Sequence, residues 1–269
     1  MDGFTLIMAV YANEDPLFLK QCLDSVFSQS VAPGEFIIIK NGPLTCGLDE
    51  VINDIRSRSG VRIIALPRNM TLGPARAEAV RAARHEWIAV MDSDDVCRPG
   101  RFEKQIALIS GRPGLGLIGG QIAEFRDDPK QPIAIRSVPT GHAEIVKFAR
   151  KRNPFNHMTV MFKRELAIKA GNYDYFPGFE DYDLWARMIM GGVVCANHPD
   201  VLVDARVGSG MYERRHGAAY IKSELRMQKQ LMRLGMINYA EYARNIALRV
   251  PIRLLPAKGL EHLYNLWRI

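Results

Sequence analysis

Trp87-Ile88-Ala89-Val90-Met91-Asp92-Ser93-Asp94-Asp95 is the stretch that decides the fold. Five apolar residues run without a polar break into a cluster of carboxylates. A run apolar at every position suits a strand buried on both faces of a sheet. The acidic cluster then lies past the carboxyl end of that strand, where open α/β sheets bind their ligands. Upstream the same pattern repeats. Phe4 to Val10 reads as a first strand, Phe36 to Ile39 as a second and Val61 to Leu66 as a third. Pro16 precedes a helix whose Leu19, Cys22, Leu23 and Val26 fall at i, i+3, i+4 and i+7. Pro74 sits at the start of an Ala- and Arg-rich helix through Arg84, where its missing N–H costs nothing. This alternation predicts an α/β fold, a mostly parallel sheet covered by helices.

Downstream the pattern loosens. Leu115 to Phe125 reads as one or two strands around Gly119-Gly120, and Met158 to Phe162 as another. A helix follows near Arg164 to Ala170, a second runs from about Glu180 to Gly191-Gly192, and Val193 to Ala196 is a last strand. Beyond Gly217 the pattern is helical. The predicted division is residues 1–217 as a catalytic domain and 218–269 as a basic, amphipathic helical tail.

Charge supports that division. Of the net +7, the whole surplus lies from Tyr212 onward, where eight Arg and three Lys face four Glu. The body before it is balanced, so the tail is the part expected to meet something anionic. Cys22, Cys46, Cys97 and Cys195 are far apart and form no Cys-x-x-Cys pair, which fits a reducing compartment rather than a zinc or disulfide framework. Met1-Asp2-Gly3 lacks a basic n-region, so no signal peptide is expected. No stretch approaches the roughly 20 apolar residues of a spanning helix.

Asp92 and Asp94 are alternate residues just beyond a strand, so both can approach one divalent cation. Hard oxygen ligands suit Mg²⁺ or Mn²⁺, which also take phosphate oxygens and water. The competing reading is an Asp-rich turn in which Asp95 caps the helix beginning near Pro99.

Five ordered motifs carry a resemblance: Ala9-Val10-Tyr11-Ala12-Asn13-Glu14; Leu19 to Gln29; Asn69 with Leu72-Gly73-Pro74-Ala75-Arg76; Asp92 to Asp95; and Glu180-Asp181-Tyr182-Asp183-Leu184-Trp185. Over roughly Phe4 to Gly217 the chain resembles the GT-A glycosyltransferases. It is most similar to the inverting bacterial family 2 type that builds O-antigens, capsules and exopolysaccharides. The resemblance implies a Rossmann-like, nucleotide-sugar-binding sheet with a C-terminal helical extension. It implies that Tyr11 and Glu14 border the uracil and ribose of a UDP-sugar. Asn41 stands where the family usually has Asp, in Lys40-Asn41-Gly42, and its amide can also meet a base edge. Arg76 would reach the nucleotide or its phosphates. Asp92 would hold the ribose or a metal-bound water, and Asp94 the metal that joins the two phosphates. Val10, Asn69, Gly73 and Ser93 belong to the same nucleotide-binding motifs. Asp181 matches the family's Glu-Asp motif and would be the catalytic base, with Glu180 and Asp183 as competitors. The bland alternative for all three is favourable charge at a helix N-terminus. His157 resembles a position near the acceptor or donor sugar. Arg214, Arg215 and His216 follow Gly208-Ser209-Gly210 and resemble a mobile loop that closes on the diphosphate, with His216 as a further metal contact.

The tail adds an expectation about the acceptor. Tyr239, Tyr242, Ala243, Ile246 and Val250 line one helical face. After Pro251 and Pro256, Leu260, Leu263, Tyr264 and Trp267 repeat the spacing. Arg244, Arg249, Arg253, Lys258 and Arg268 accompany them. Basic residues beside an apolar, aromatic face suit an anionic bilayer. The predicted acceptor is a saccharide on a polyprenyl diphosphate, and the predicted place is cytoplasmic, peripheral on the inner face of the bacterial cell membrane. Packing on the domain or a homo-oligomer seam are the other uses of such helices. A sugar nucleotidyltransferase would show a Gly-rich basic loop after the first strand, and a nicotinamide enzyme G-x-G-x-x-G; neither is present. An inactive sugar- or membrane-binding module remains as an alternative. No nucleic-acid module is recognisable in the tail.

Overall fold

Alternation inside the apolar runs sorts side chains to the two faces of a central sheet. In β1 (Thr5–Val10), Ile7 and Ala9 enter one core and Leu6, Met8 and Val10 the other. In β4 (Trp87–Val90), Ile88 and Val90 go with the first group, while Trp87 and Ala89 go with the second. Each strand, buried at every position, is therefore sandwiched between helical layers. The computed structural model describes residues 3–208 and 217–253.

The parallel half of the sheet has the order β3 (Val61–Ala65), β2 (Glu35–Lys40), β1, β4. It continues through β8 (Met161–Lys163), β6 (Leu115–Phe125), β9 (Val194–Arg206) and β5 (Val96–Cys97), with β7 (Ala134–Arg136) pairing β6. Strand β8 is antiparallel to both β4 and β6, so the sheet is mixed. Helices α1 (Pro16–Phe27), α2 (Cys46–Ile55) and α4 (Arg101–Gly111) cover one face. The other face carries α3 (Leu72–Ala82), α5 (His142–Ala149), α6 (Arg164–Lys169), α7 (Glu180–Met190) and α8 (Gly217–Arg233). The last described helix is α9 (Tyr239–Arg253).

Local chemistry explains the starts. The carboxylate of Asp15 caps α1 by accepting from Leu17 N at 2.8 Å, and Pro16 occupies the first turn. Helix α3 begins at Leu72, two residues before Pro74, which fits its first turn. Gly73 is required there: a Cβ would lie 2.1 Å from the carbonyl oxygen of Asp174.

Three expectations are corrected. Met158 to Phe162 is not one strand: a 3₁₀ turn at His157–Thr159 precedes β8. Thr159 Oγ1 donates to Asn156 O at 2.7 Å and accepts from Gly120 N at 2.9 Å, which closes the turn. Leu115 to Phe125 is one strand. Its partner β9 runs on to Arg206, because register shifts near Gly120 and Gln121 absorb His198-Pro199-Asp200. Helix α9 carries Pro251 within it and is described as far as Arg253. Asp95 does not cap α4. The cap position is Gly100, at φ +71°, while the Asp95 carboxylate accepts from Arg206 N at 2.7 Å.

The tail helices pack on the domain. Met227, Leu231, Met236 and Ile237 join the same buried cluster as α3 and α7. Among the described residues no helix is long and apolar enough to cross a membrane.

Candidate active site

The carboxyl ends of β1, β2 and β4 open on one mouth, as the topology requires. Asn41 ends β2, with its N–H bonded to Val10 O at 2.8 Å. Its amide forms a two-way pair with Met70, donating to Met70 O at 2.7 Å and accepting from Met70 N at 2.8 Å. The side chain thereby ties the second strand to the segment before α3. Gly42 permits the approach: its φ is +86°, and a Cβ would lie 2.6 Å from Asn69 N. Tyr11, Asn41, Asn69, Gly73, Phe176 and Glu180 are among the residues that line a cleft of about 310 Å³. That volume is at the small end for ligand pockets.

Beside this cleft lies the acidic run. The Asp92 carboxylate accepts from Arg76 Nη2 at 2.8 Å, and Nδ1 of His157 stands 3.4 Å from the same oxygen. Burial works to raise its pKa, but His157 and Arg76 overcome that and hold it well below the ordinary carboxylate range. Ser93 donates to Glu14 in a very short hydrogen bond. Burial pushes the Glu14 carboxyl up to about 8, and the charges of Asp94 and Asp92 add to the rise. Asp95 is raised for the same reasons, burial first and then Asp94 and Asp92. Glu14, Asp92, Asp94 and Asp95 thus gather four interacting carboxyl groups at the mouth.

Arg206, at the end of β9, organises that run and was not legible as a site residue in the sequence. Its Nε donates to Asp94 O at 3.1 Å, Nη1 to Arg126 O at 3.1 Å and Nη2 to Gln21 Oε1 at 2.5 Å. Its guanidinium also stacks on Phe18 and Phe125, 3.8 and 4.5 Å from their ring centres.

Arg76 links the run to α7. Its Nη1 lies 3.4 Å from Glu180 Oε1, so one buried guanidinium faces Asp92 and Glu180 together. Burial raises the Glu180 pKa against the opposing effect of Arg76. Asp181, half-buried, accepts from Asn153 Nδ2 at 2.7 Å. Asp183 is buried and paired with Arg187 at 2.8 Å, turned into the body beneath α7. His157 lies within the protein, its Nε2 3.2 Å from the Tyr173 hydroxyl. Asn153 and Tyr173 also escaped the sequence reading; nothing in an isolated Asn or Tyr marks it as a neighbour of Asp181 or His157. Arg214, Arg215 and His216 lie outside the described residues.

A divalent cation fits this mouth by the chemistry of its donors. Among the described residues no group of three or more His, Cys, Asp or Glu is gathered that could hold a metal ion. Asp92 and Asp94 would be the chain's oxygen donors to Mg²⁺ or Mn²⁺, with phosphate and water as the other ligands. Burial is the first cause of the raised Glu14 and Asp95 pKa values, and the charges of Asp94 and Asp92, which such an ion would offset, add to it.

The mixed sheet, flanked by helices and with its mouth at the carboxyl edge, defines a GT-A-type fold. Residues 5–171 match glycosyl transferase family 2, and the chain belongs to that family. It is a glycosyltransferase, which sets aside the nucleotidyltransferase and the inactive module. An uncharacterized glycosyltransferase of Haemophilus influenzae is 40% identical over 262 residues, 97% of each chain. The Escherichia coli UDP-Gal:alpha-D-GlcNAc-diphosphoundecaprenol beta-1,3-galactosyltransferase is 33% identical over 97% of this chain and 95% of its own. Among solved structures, the mannosyltransferase of Pyrobaculum calidifontis with GDP-Man and Mn²⁺ superposes at TM-score 0.65. It is 17% identical and matches 98% of this chain and 79% of its own, which shows the shared fold.

Proposed function

We propose that this chain is an inverting transferase. It moves a hexose or N-acetylhexosamine from a UDP-sugar to a saccharide on a lipid diphosphate, in bacterial surface polysaccharide synthesis. One observation carries the reading: the acidic run after β4 and the carboxylates of α7 meet across Arg76 in a single mouth. The Escherichia coli relative, named for a UDP-sugar donor and a diphosphoundecaprenol acceptor, supports the substrate class.

In this reading the nucleoside occupies the cleft lined by Tyr11, Asn41, Asn69 and Gly73, with Val10 beneath it. Asp94, with Asp92 alongside, faces the diphosphate. Mn²⁺ or Mg²⁺, when bound, stabilises the charge that develops as the bond to UDP breaks. Ser93 and Glu14 shape the floor of that site, and Arg76 keeps Asp92 ionised and oriented. Asp181 takes the proton of the acceptor hydroxyl while that oxygen attacks the anomeric carbon from the face opposite UDP, which inverts the centre. Two contacts favour Asp181 over its neighbours: Asp183 is buried against Arg187, and Glu180 is engaged by Arg76. Arg214, Arg215 and His216 are assigned to closure over the diphosphate on their sequence alone. The basic tail, residues 218–269, is assigned on its sequence to the anionic inner leaflet, where such an acceptor would present its diphosphate.

The test is a screen of UDP-sugars with Mn²⁺ or Mg²⁺ against a GlcNAc-diphospho-lipid acceptor, with product stereochemistry recorded. Transfer with inversion supports the reading, and a retained anomeric configuration overturns it. Asp181→Asn should bind UDP normally and lose at least about 10²-fold in turnover, the lower bound for removing a general base. Normal turnover moves the base to Glu180.

A further inference from the structure

The polar seam between α8 and α9 ends near the carboxylates of α7. The last carbonyls of any helix lack partners within it. At the end of α5 they are taken by side chains from two other helices. The Tyr182 hydroxyl of α7 donates to Ala149 O. From α9, Asn245 Nδ2 donates to Arg150 O at 2.9 Å, and the Arg249 guanidinium donates to Lys151 O.

Those two α9 residues are themselves locked. Asn245 also donates to Gln228 Oε1 at 2.9 Å, and Arg249 Nη1 to Glu224 Oε1 at 2.9 Å. Glu224 is 0% exposed, and Arg253 Nη2 stands 3.9 Å from its other oxygen. A buried acid with its cations in place is rigid, because breaking one partner leaves an uncompensated charge. Arg249 and Arg253 are therefore turned inward, away from the membrane-facing role their sequence spacing suggested.

Two residues past Lys151 lies Asn153. Its Oδ1 accepts from Phe155 N at 3.2 Å and its Nδ2 donates to Asp181 at 2.7 Å. The backbone N–H fixes which end of the amide faces the carboxylate, since the reverse orientation would set oxygen against oxygen. We propose that Asn153 is the positioning residue for Asp181, and that α9 holds Asn153 in register through the carbonyls of Arg150 and Lys151. The inference rests on the reading of Asp181 as the base. It makes α9 part of the support of the reaction centre, so that whatever displaces α9 also displaces the base. Asn153 fixes one carboxylate oxygen, and the acceptor hydroxyl must come within hydrogen-bond reach of that group. A misplacement of about 1 Å in such a group costs about 10²-fold in rate.

Kinetics test the first part, using the full chain and the most active UDP-sugar and lipid-diphosphate acceptor pair from the screen. Asn153→Ala should lower kcat by about 10²-fold with the KM for UDP-sugar unchanged. Loss of a donor to a carboxylate should also shift the acid limb of the kcat profile to higher pH. Asn153→Asp, nearly isosteric, sets a second carboxylate against the first and should shift that limb further. A fall in kcat with an unmoved pH profile means general destabilisation and overturns the inference. If Asp181→Asn keeps its turnover, the assignment of the base fails. If Asp181→Asn is inactive while Asn153→Ala behaves as wild type, only the present inference fails.

Hydrogen exchange tests the second part and needs no substrate. In Asn245→Leu and Arg249→Met, amides of residues 150–155 and 180–184 should exchange about tenfold faster, while those of β1 and β4 keep their rates. Unchanged exchange at 180–184 overturns the coupling to α9.

Discussion

Replacing Glu14 by glutamine should flatten the dependence of stability on pH. Burial, with Asp94 and Asp92 nearby, raises the Glu14 carboxyl from 4.5 to about 8 in the folded chain. A raised folded pKa means the native state binds the extra proton more tightly than the unfolded state. Its stabilising contribution is complete below the unfolded pKa and is lost as pH rises through the folded one. Between about pH 5 and pH 8 the loss is at most about 1.4 kcal/mol per pH unit, or about 4 kcal/mol in all. At about 2.1 cal/mol/K of unfolding entropy per residue, a chain of this length changes Tm by about 2 °C per kcal/mol, giving about 8 °C. Glutamine keeps the shape and can still meet Ser93, but it has no proton to lose. Asp95 is raised in the same direction, so the variant keeps a smaller slope of the same sign. The assay is melting followed by near-UV circular dichroism at half-unit steps from pH 5 to pH 9, with chelator present. The Tm difference, variant minus wild type, should grow with pH and level off above pH 8. Parallel curves across the range would refute the argument that Glu14 is held protonated.

Asp94→Ala should abolish cation-stimulated transfer while leaving Tm within about 2 °C, because a mouth carboxylate contributes little to the core; retained stimulation by Mn²⁺ would remove it from the cation site. Arg206→Met loses the stacks on Phe18 and Phe125 and the hold on Asp94 O. A cost of about 2–3 kcal/mol is expected, with kcat falling more than the melting shift accounts for; a stability loss alone would mean the clamp has no bearing on the acidic run. Removing residues 254–269 should lower sedimentation with anionic liposomes, and unchanged partitioning would leave the exposed side of α9, with Tyr239 and Leu248 at 76% and 63% exposure, as the remaining candidate surface.

The sequence by itself determined the layering. Trp87 to Met91 is apolar at every position and Phe4 to Val10 at all but Thr5, and only a strand covered on both faces buries such a run. Period-3.6 helices between them then fix a mostly parallel sheet, and the place of Asp92 to Asp95 past β4 fixes the mouth. These are local patterns, so a linear reading finds them. Where long-range pairing overrides local pattern, that reading stopped early, as at the strand ending in Ala196 that in fact runs to Arg206. The division of labour among neighbouring acids belongs to the tertiary structure. Glu180, Asp181 and Asp183 look alike as an acidic helix start, and only contacts with Arg76, Asn153 and Arg187 tell them apart. Asp95 has the spacing of a cap, yet its partner is the N–H of Arg206, 111 residues away. Arg249 has the spacing of a membrane-facing cation, yet it turns to buried Glu224. A side chain's charge and its helical face are written locally. The partner that neutralises that charge comes from wherever the fold brings it, and burial makes the pairing obligatory.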